Sequence, residues 1–140
     1  MKKMAATFTA PVDTLADKMQ RGELMSVDCP GRAVLRHLTS RWGVLLLIAL
    51  QDGTHRFSDL RRKVNGVSER MLSQTLQQLE GDGIVTRTEY RVVPPHVEYT
   101  LTNLGQEAAQ IVRKLADWVE GAMPKIEEHW TANGKPGTED

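Results

Sequence analysis

Cysteine is nearly absent: Cys29 is the single one in 140 residues. One thiol cannot build a disulfide framework within the chain, and such scarcity fits a reducing compartment. Long apolar runs are missing as well. The longest, residues 44–50, is far short of the roughly 20 residues that span a bilayer. The opening "MKKMAATFTAP" carries two lysines but no apolar stretch after them, so no secretory signal is expected. These absences point to a cytoplasmic protein without a membrane partner. The four histidines, His37, His55, His96 and His129, show no metal-ligand spacing, and only one cysteine could join them. "GDG" has no strand before it and makes no phosphate loop, and no nucleophile–base set is visible. No metal, cofactor or catalysis is expected.

Net charge is also absent, with 18 basic and 18 acidic residues. That balance by itself argues against a nucleic-acid partner, but the distribution is uneven. Residues 32–91 hold ten Arg/Lys against six Asp/Glu, whereas residues 92–140 hold four against eight. A basic working face on a neutral protein has this signature.

With 40% hydrophobic and 26% charged residues, the composition is that of a globular protein, and the length suits one domain. The expected domain covers 11–130, between a disordered N-terminus at 1–10 and a disordered tail at 131–140. A short helix is expected from about Asp13, with Leu15 and Met19 on one side. Pro30 opens a second helix, since a first helical position loses nothing by lacking an N–H. Ser40 caps "RWGVLLLIAL", apolar nearly all round and therefore central, with Trp42 in the core. "THRF" is extended, and Ser58 is the expected cap of "DLRRKV". Asn65-Gly66 marks a turn, and Ser68 caps the next helix.

That next helix, within "GVSERMLSQTLQQLEGDGIVTR" (66–87), carries the functional signal. Leu72, Leu76 and Leu79 recur at i, i+4 and i+7, the spacing of one buried face. The opposite side holds Arg70, Ser73, Gln74 and Gln77, with Gln78 at its flank, where an ordinary solvent face would hold Lys and Glu. Two β-rich segments follow, "IVTRTEYRV" and "HVEYTL", separated by prolines that belong in a projecting loop. Thr102 then caps a long helix whose Leu104, Ala108, Ile111, Leu115, Trp118 and Ala122 form a seam suited to another helix. Gly121 and Pro124 are expected to kink or end it before "KIEEHW".

The fold class is therefore mainly α with a small β-hairpin: a winged helix-turn-helix, its N- and C-terminal helices forming a dimer interface. The second helix of such a motif enters a DNA major groove. Arg can grip guanine, Gln can pair with adenine, and Ser can serve either base. Arg70, Ser73, Gln74 and Gln77 are the candidate base readers. Ser68 and the adjoining backbone N–H groups are candidates for a phosphate. Arg61, Arg62 and Lys63 on the preceding helix are either a solvated charge run or phosphate contacts. Arg91 and His96 flank the wing tip, where a cation can enter a minor groove; the alternative is a plain exposed hairpin. Arg87 reads as half of a structural ion pair with Asp82 or a neighbour.

The ordered series "CP", "RW", "DGTHRFSDLRRKV", "GVSERMLSQTLQQLEGDGIVTR" and "VPPHVEYTLTNLG" resembles the HxlR-type winged helix regulators, relatives of the MarR group. The resemblance runs from about Cys29 to Trp118, and "PPHVEYTLT" with "GDGIVTR" is its most specific part. It implies a homodimeric bacterial transcription factor that binds double-stranded DNA, and a twofold dimer in turn implies a near-palindromic site. Some members sense electrophiles or oxidants through a cysteine just before the first shared helix, the position that Cys29 matches. Helix N-termini and neighbouring cations such as Arg32 are settings in which thiols become reactive. Against that stands the common inert, buried cysteine. Cys29 is thus a candidate redox sensor, and an electrophile or small molecule a candidate effector. The leader of about 28 residues before Cys29 departs from many members. A winged-helix protein-interaction module without specific DNA binding is the rival reading.

Overall fold

The computed structural model describes residues 14–20 and 25–137, with backbone alone at 18–20. The chain divides into two compact units, Met1–Arg36 and His37–Asp140. The expected N-terminal disorder and the side chain of Met19 lie outside the described residues.

In the first unit, α1 runs Leu15–Gln20. Thr14 and Asp17 cap it reciprocally: each side chain accepts the other's backbone N–H at 3.1 Å. Leu15 is exposed. A turn precedes Cys29, and α2, Pro30–Thr39, begins on the proline as expected; its residues from His37 onward belong to the second unit.

The second unit is built around α3, Arg41–Leu50. The Ser40 hydroxyl accepts the Gly43 N–H at 3.1 Å, and Leu46, Leu47 and Leu50 are wholly buried. Trp42 is half-buried against this core. β1, His55–Arg56, follows, then α4, Phe57–Lys63, and α5, Glu69–Gly81. β2, Val85–Tyr90, β3, His96–Leu101, and α6, Asn103–Asn133, complete the unit. Leu60 from α4 and Leu72, Leu76 and Leu79 from α5 meet the α3 leucines in one core. Full burial of a leucine contributes about 1.5–3 kcal/mol, so this cluster dominates the packing.

Three strands form one antiparallel sheet in the order β1-β3-β2. The register pairs Val85 with Leu101, Arg87 with Tyr99 and Tyr90 with His96. β1 joins the other edge of β3, pairing His55 with Tyr99, so the wing has a third strand beyond the expected hairpin. Its tip, Val92 to Pro95, is exposed, as two prolines outside the ladder require.

Three local expectations need correction. Arg56, not Ser58, is the cap residue of α4, which starts two residues earlier because Phe57 packs against the core. α6 does not end at Pro124 but continues to Asn133. Pro124 and Glu120 are both exposed, so the carbonyl that loses its helical donor is open to solvent, which lowers the cost. Thr131, Ala132 and Asn133 are consequently helical rather than part of a disordered tail; irregular chain begins at Gly134, whose φ is +92°.

The junction of wing and α6 is tightly held. The Thr102 hydroxyl accepts the Gly105 N–H at 3.0 Å and donates to Gly83 O at 2.7 Å, while Thr102 N–H donates to Ile84 O at 3.0 Å. Gly105 is needed here: a Cβ would sit 2.1 Å from Ile84 O. Among the described residues no single helix is long and apolar enough to cross a membrane.

Candidate nucleic-acid interface

α4 and α5 are joined through a turn in which Val64 and Val67 are buried and Gly66 takes φ +94°, a conformation that favours glycine. The turn fixes the direction in which α5 leaves. Ser68 caps α5, its hydroxyl accepting the Met71 N–H at 3.1 Å. Glu69 lies in the first turn, where the helix dipole favours an acid.

The two sides of α5 divide as its periodicity requires. Leu72, Thr75, Leu76 and Leu79 are buried. Thr75 tolerates burial because its hydroxyl donates to Met71 O at 2.7 Å. Arg70, Ser73, Gln74 and Gln77 are all exposed, and they share one outward stripe. Met71, also exposed, adds an apolar group beside them that sequence periodicity did not single out.

The flanking cations differ in their freedom. Arg61 reaches Glu69 at 3.2 Å and Lys63 reaches Asp52 at 2.5 Å, while Arg62 pairs with Asp59 one turn away. All three are exposed pairs, each worth about 0–1 kcal/mol, and they can be exchanged for other anions. The Lys63 ammonium, hydrogen-bonded to Asp52, holds that carboxyl below its ordinary pKa. At the wing, Arg91 is 89% exposed, with Glu89 3.8 Å away.

His96 sits differently from the projecting cation expected at a wing tip. Its ring stacks on Tyr90 with centroids 4.9 Å apart, and its Nε2 lies 3.0 Å from Glu98. Arg87 does not pair with Asp82. The partner of Asp82 is His37, with Nδ1 2.6 Å from Oδ2, a contact within the second unit.

α6 has two apolar sides. Gly105, Ala109 and Val112 are buried against the core. On the other side Leu104, Ile111, Leu115 and Trp118 are exposed, Ile111 by 69% and Trp118 by 65%, with Ala108 and Ala122 half-buried along the same seam. In the first unit, Cys29 is buried at 7% exposure, and the Arg32 guanidinium donates to Met25 O at 2.7 Å. No group of three His, Cys, Asp or Glu among the described residues is placed to hold a metal ion.

Residues 37–127 match the HxlR-like helix-turn-helix family. The chain is 57% identical over 113 residues to YtfH of Escherichia coli strain K12, an HTH-type transcriptional regulator, covering 81% of this chain and 90% of the relative. Its fold is similar to the solved structure of ytfH from Salmonella typhimurium, with 59% identity and a TM-score of 0.73 over 76% of this chain and 95% of that one. It is also similar to the redox regulator HypR in its reduced form, with 36% identity and a TM-score of 0.64 over 71% of this chain and 98% of that one. With the winged helix-turn-helix in place and the family match spanning it, the chain belongs to the HxlR-like helix-turn-helix family.

Proposed function

We infer that this protein is a sequence-specific DNA-binding transcriptional regulator that works as a homodimer. The carrying observation is the outward stripe of α5: four hydrogen-bonding side chains stand exposed on a helix whose other side is locked into the core. Arg70, Ser73, Gln74 and Gln77 offer donors and acceptors suited to base edges, and Met71 offers an apolar contact for a thymine methyl. Arg61, Arg62 and Lys63 exchange their carboxylate partners for phosphates, Ser68 and the adjoining N–H groups hold another, and Arg91 serves the wing. His96 acts through the wing's conformation, since its ring is held by Tyr90 and Glu98.

The exposed seam of α6 supports the dimer. A twofold pair matches a near-palindromic site whose half-sites lie about 10–10.5 bp apart or a multiple of that. Cys29 supports a response to electrophiles or oxidants. Its seat before α2 and the likeness to a redox regulator favour this reading. Hydrogen peroxide would convert the thiol to a sulfenic acid with release of water, and a second Cys29 thiol could then displace water again to close a disulfide across the dimer. At 7% exposure, the thiol reacts only when its surroundings open.

Titration of random-sequence duplex at low salt tests the reading. Tight binding that weakens steeply with added salt is expected. Absence of binding, with capture of a protein partner through the same face, would establish the interaction-module alternative instead. For the sensor, Cys29→Ser is expected to abolish the effect of diamide or peroxide on DNA binding. An unchanged response removes Cys29 from that role.

A further inference from the structure

A polar cleft of about 410 Å³ opens between α5 and the wing, lined among others by Ser73, Gln77, Glu80, Arg87 and Tyr99. Strand alternation explains why Arg87 is there. Val85 is buried, and residues two apart on a strand share a face. Arg87 therefore points to the same side as Val85, the side that carries the core, and the register sets it opposite the buried Tyr99. Yet Arg87 itself is exposed, whereas Val85 is buried. The surrounding cations Arg61, Arg62, Lys63 and Arg91 each face an acid. Arg87 makes no ion pair with any described residue, even though Glu80 lines the same cleft.

We propose that this cleft seats one sugar-phosphate strand of the duplex and that Arg87 clamps its phosphate. The proposal rests on the DNA-binding reading above. A helix in a major groove and a wing over the neighbouring minor groove are separated by one backbone strand, since that strand is the wall between the two grooves. The strand must pass through the gap between α5 and the wing. A guanidinium lining that gap, exposed and without an ion pair among the described residues, matches a phosphate in charge and fork geometry. Ser73 and Gln77 border the same gap, so the clamp sets how deeply the α5 stripe enters the groove. Arg87 is thus a positioning residue for base reading, and it carries no sequence information itself.

The test compares wild type with Arg87→Ala, Arg87→Gln and Arg87→Lys on a selected duplex and on a random one, across a salt series. Should Arg87→Ala lower the melting temperature, Arg87→Gln, which keeps an uncharged stem in the cleft, carries the comparison. The expected result is a log–log salt slope shallower by about 0.9 on both duplexes, the share of one phosphate, with Arg87→Lys retaining the wild-type slope. An unchanged slope, or a loss confined to the selected duplex, overturns the clamp while leaving DNA binding intact. Failure of the wild-type protein to bind either duplex would instead remove the reading on which the clamp rests.

Discussion

Replacing Gly105 with alanine should destabilise the protein, although alanine is the better helix former. The new Cβ would lie 2.1 Å from Ile84 O, and 3.1 Å from both Ile84 C and Leu101 Cδ2. Carbonyl oxygen and main-chain carbon cannot rotate away, so α6 and the start of β2 must separate by roughly 1 Å to recover ordinary contact. That movement stretches the 3.0 Å bond from Thr102 N–H to Ile84 O beyond hydrogen-bonding range and disturbs the Thr102 cap. Overpacking costs about 1–3 kcal/mol, and the weakened cap and bond add about 1 kcal/mol. Helix propensity returns at most about 1 kcal/mol, which leaves a net loss of about 2 kcal/mol. For a chain of this size that lowers Tm by roughly 6–8 °C. Gly121, in the same helix, has nothing within 4 Å of its Cβ position, so Gly121→Ala should raise stability, and with it Tm, through propensity alone, by about 1 kcal/mol at most. Calorimetry on both variants checks the pair. A Gly105→Ala protein as stable as wild type would refute the close approach of α6 to β2.

Gln74→Ala is expected to weaken binding to a selected duplex by about 1–3 kcal/mol and to relax one base position; an equal loss on random DNA would show that Gln74 reads no base. Ser68→Ala removes the cap of α5 and should cost about 0.5–2 kcal/mol in thermal or denaturant unfolding. Asp52 titrates below its ordinary value because of Lys63. A carboxylate depressed on folding stabilises above its unfolded pKa of about 3.9, and that contribution disappears as pH falls through the lower folded value. Lys63→Met should therefore raise the Asp52 midpoint in an NMR titration, and an unmoved midpoint would assign the depression to another group. Leu115→Glu on the exposed seam should shift a sedimenting dimer to monomer, whereas an intact dimer would place the interface elsewhere.

Much of this molecule is legible from local chemistry. Ser40, Ser68 and Thr102 each precede a periodic apolar run and each accepts the backbone N–H three residues on. The leucines of α5 announce a buried face, and that burial turns Arg70, Ser73, Gln74 and Gln77 outward together. What stayed hidden depends on partners distant in sequence. β1 is two residues long, and "THRF" announced an extended piece, but its pairing with β3, some forty residues away, is encoded by no local pattern. Ser58 is a good capping residue, but burial of Phe57 pulls the helix start ahead of it. Proline kinks or ends helices in general, and at Pro124 an exposed position lets α6 continue. Asp82 offered itself to Arg87 by proximity in sequence, whereas the fold brings His37 within 2.6 Å. The alternation from Val85 to Arg87 did carry the signal that places Arg87 on the core side of the wing, though proximity to an acid was the louder one.

The side-chain amides of Gln74 and Gln77 provide the most direct measurement. Their NH₂ resonances should move when a duplex selected from a random pool is titrated in, and move far less with an unrelated duplex, because hydrogen bonds to base edges depend on the bases. If those resonances stay fixed while residues of α6 or the first unit respond, α5 does not face the bases.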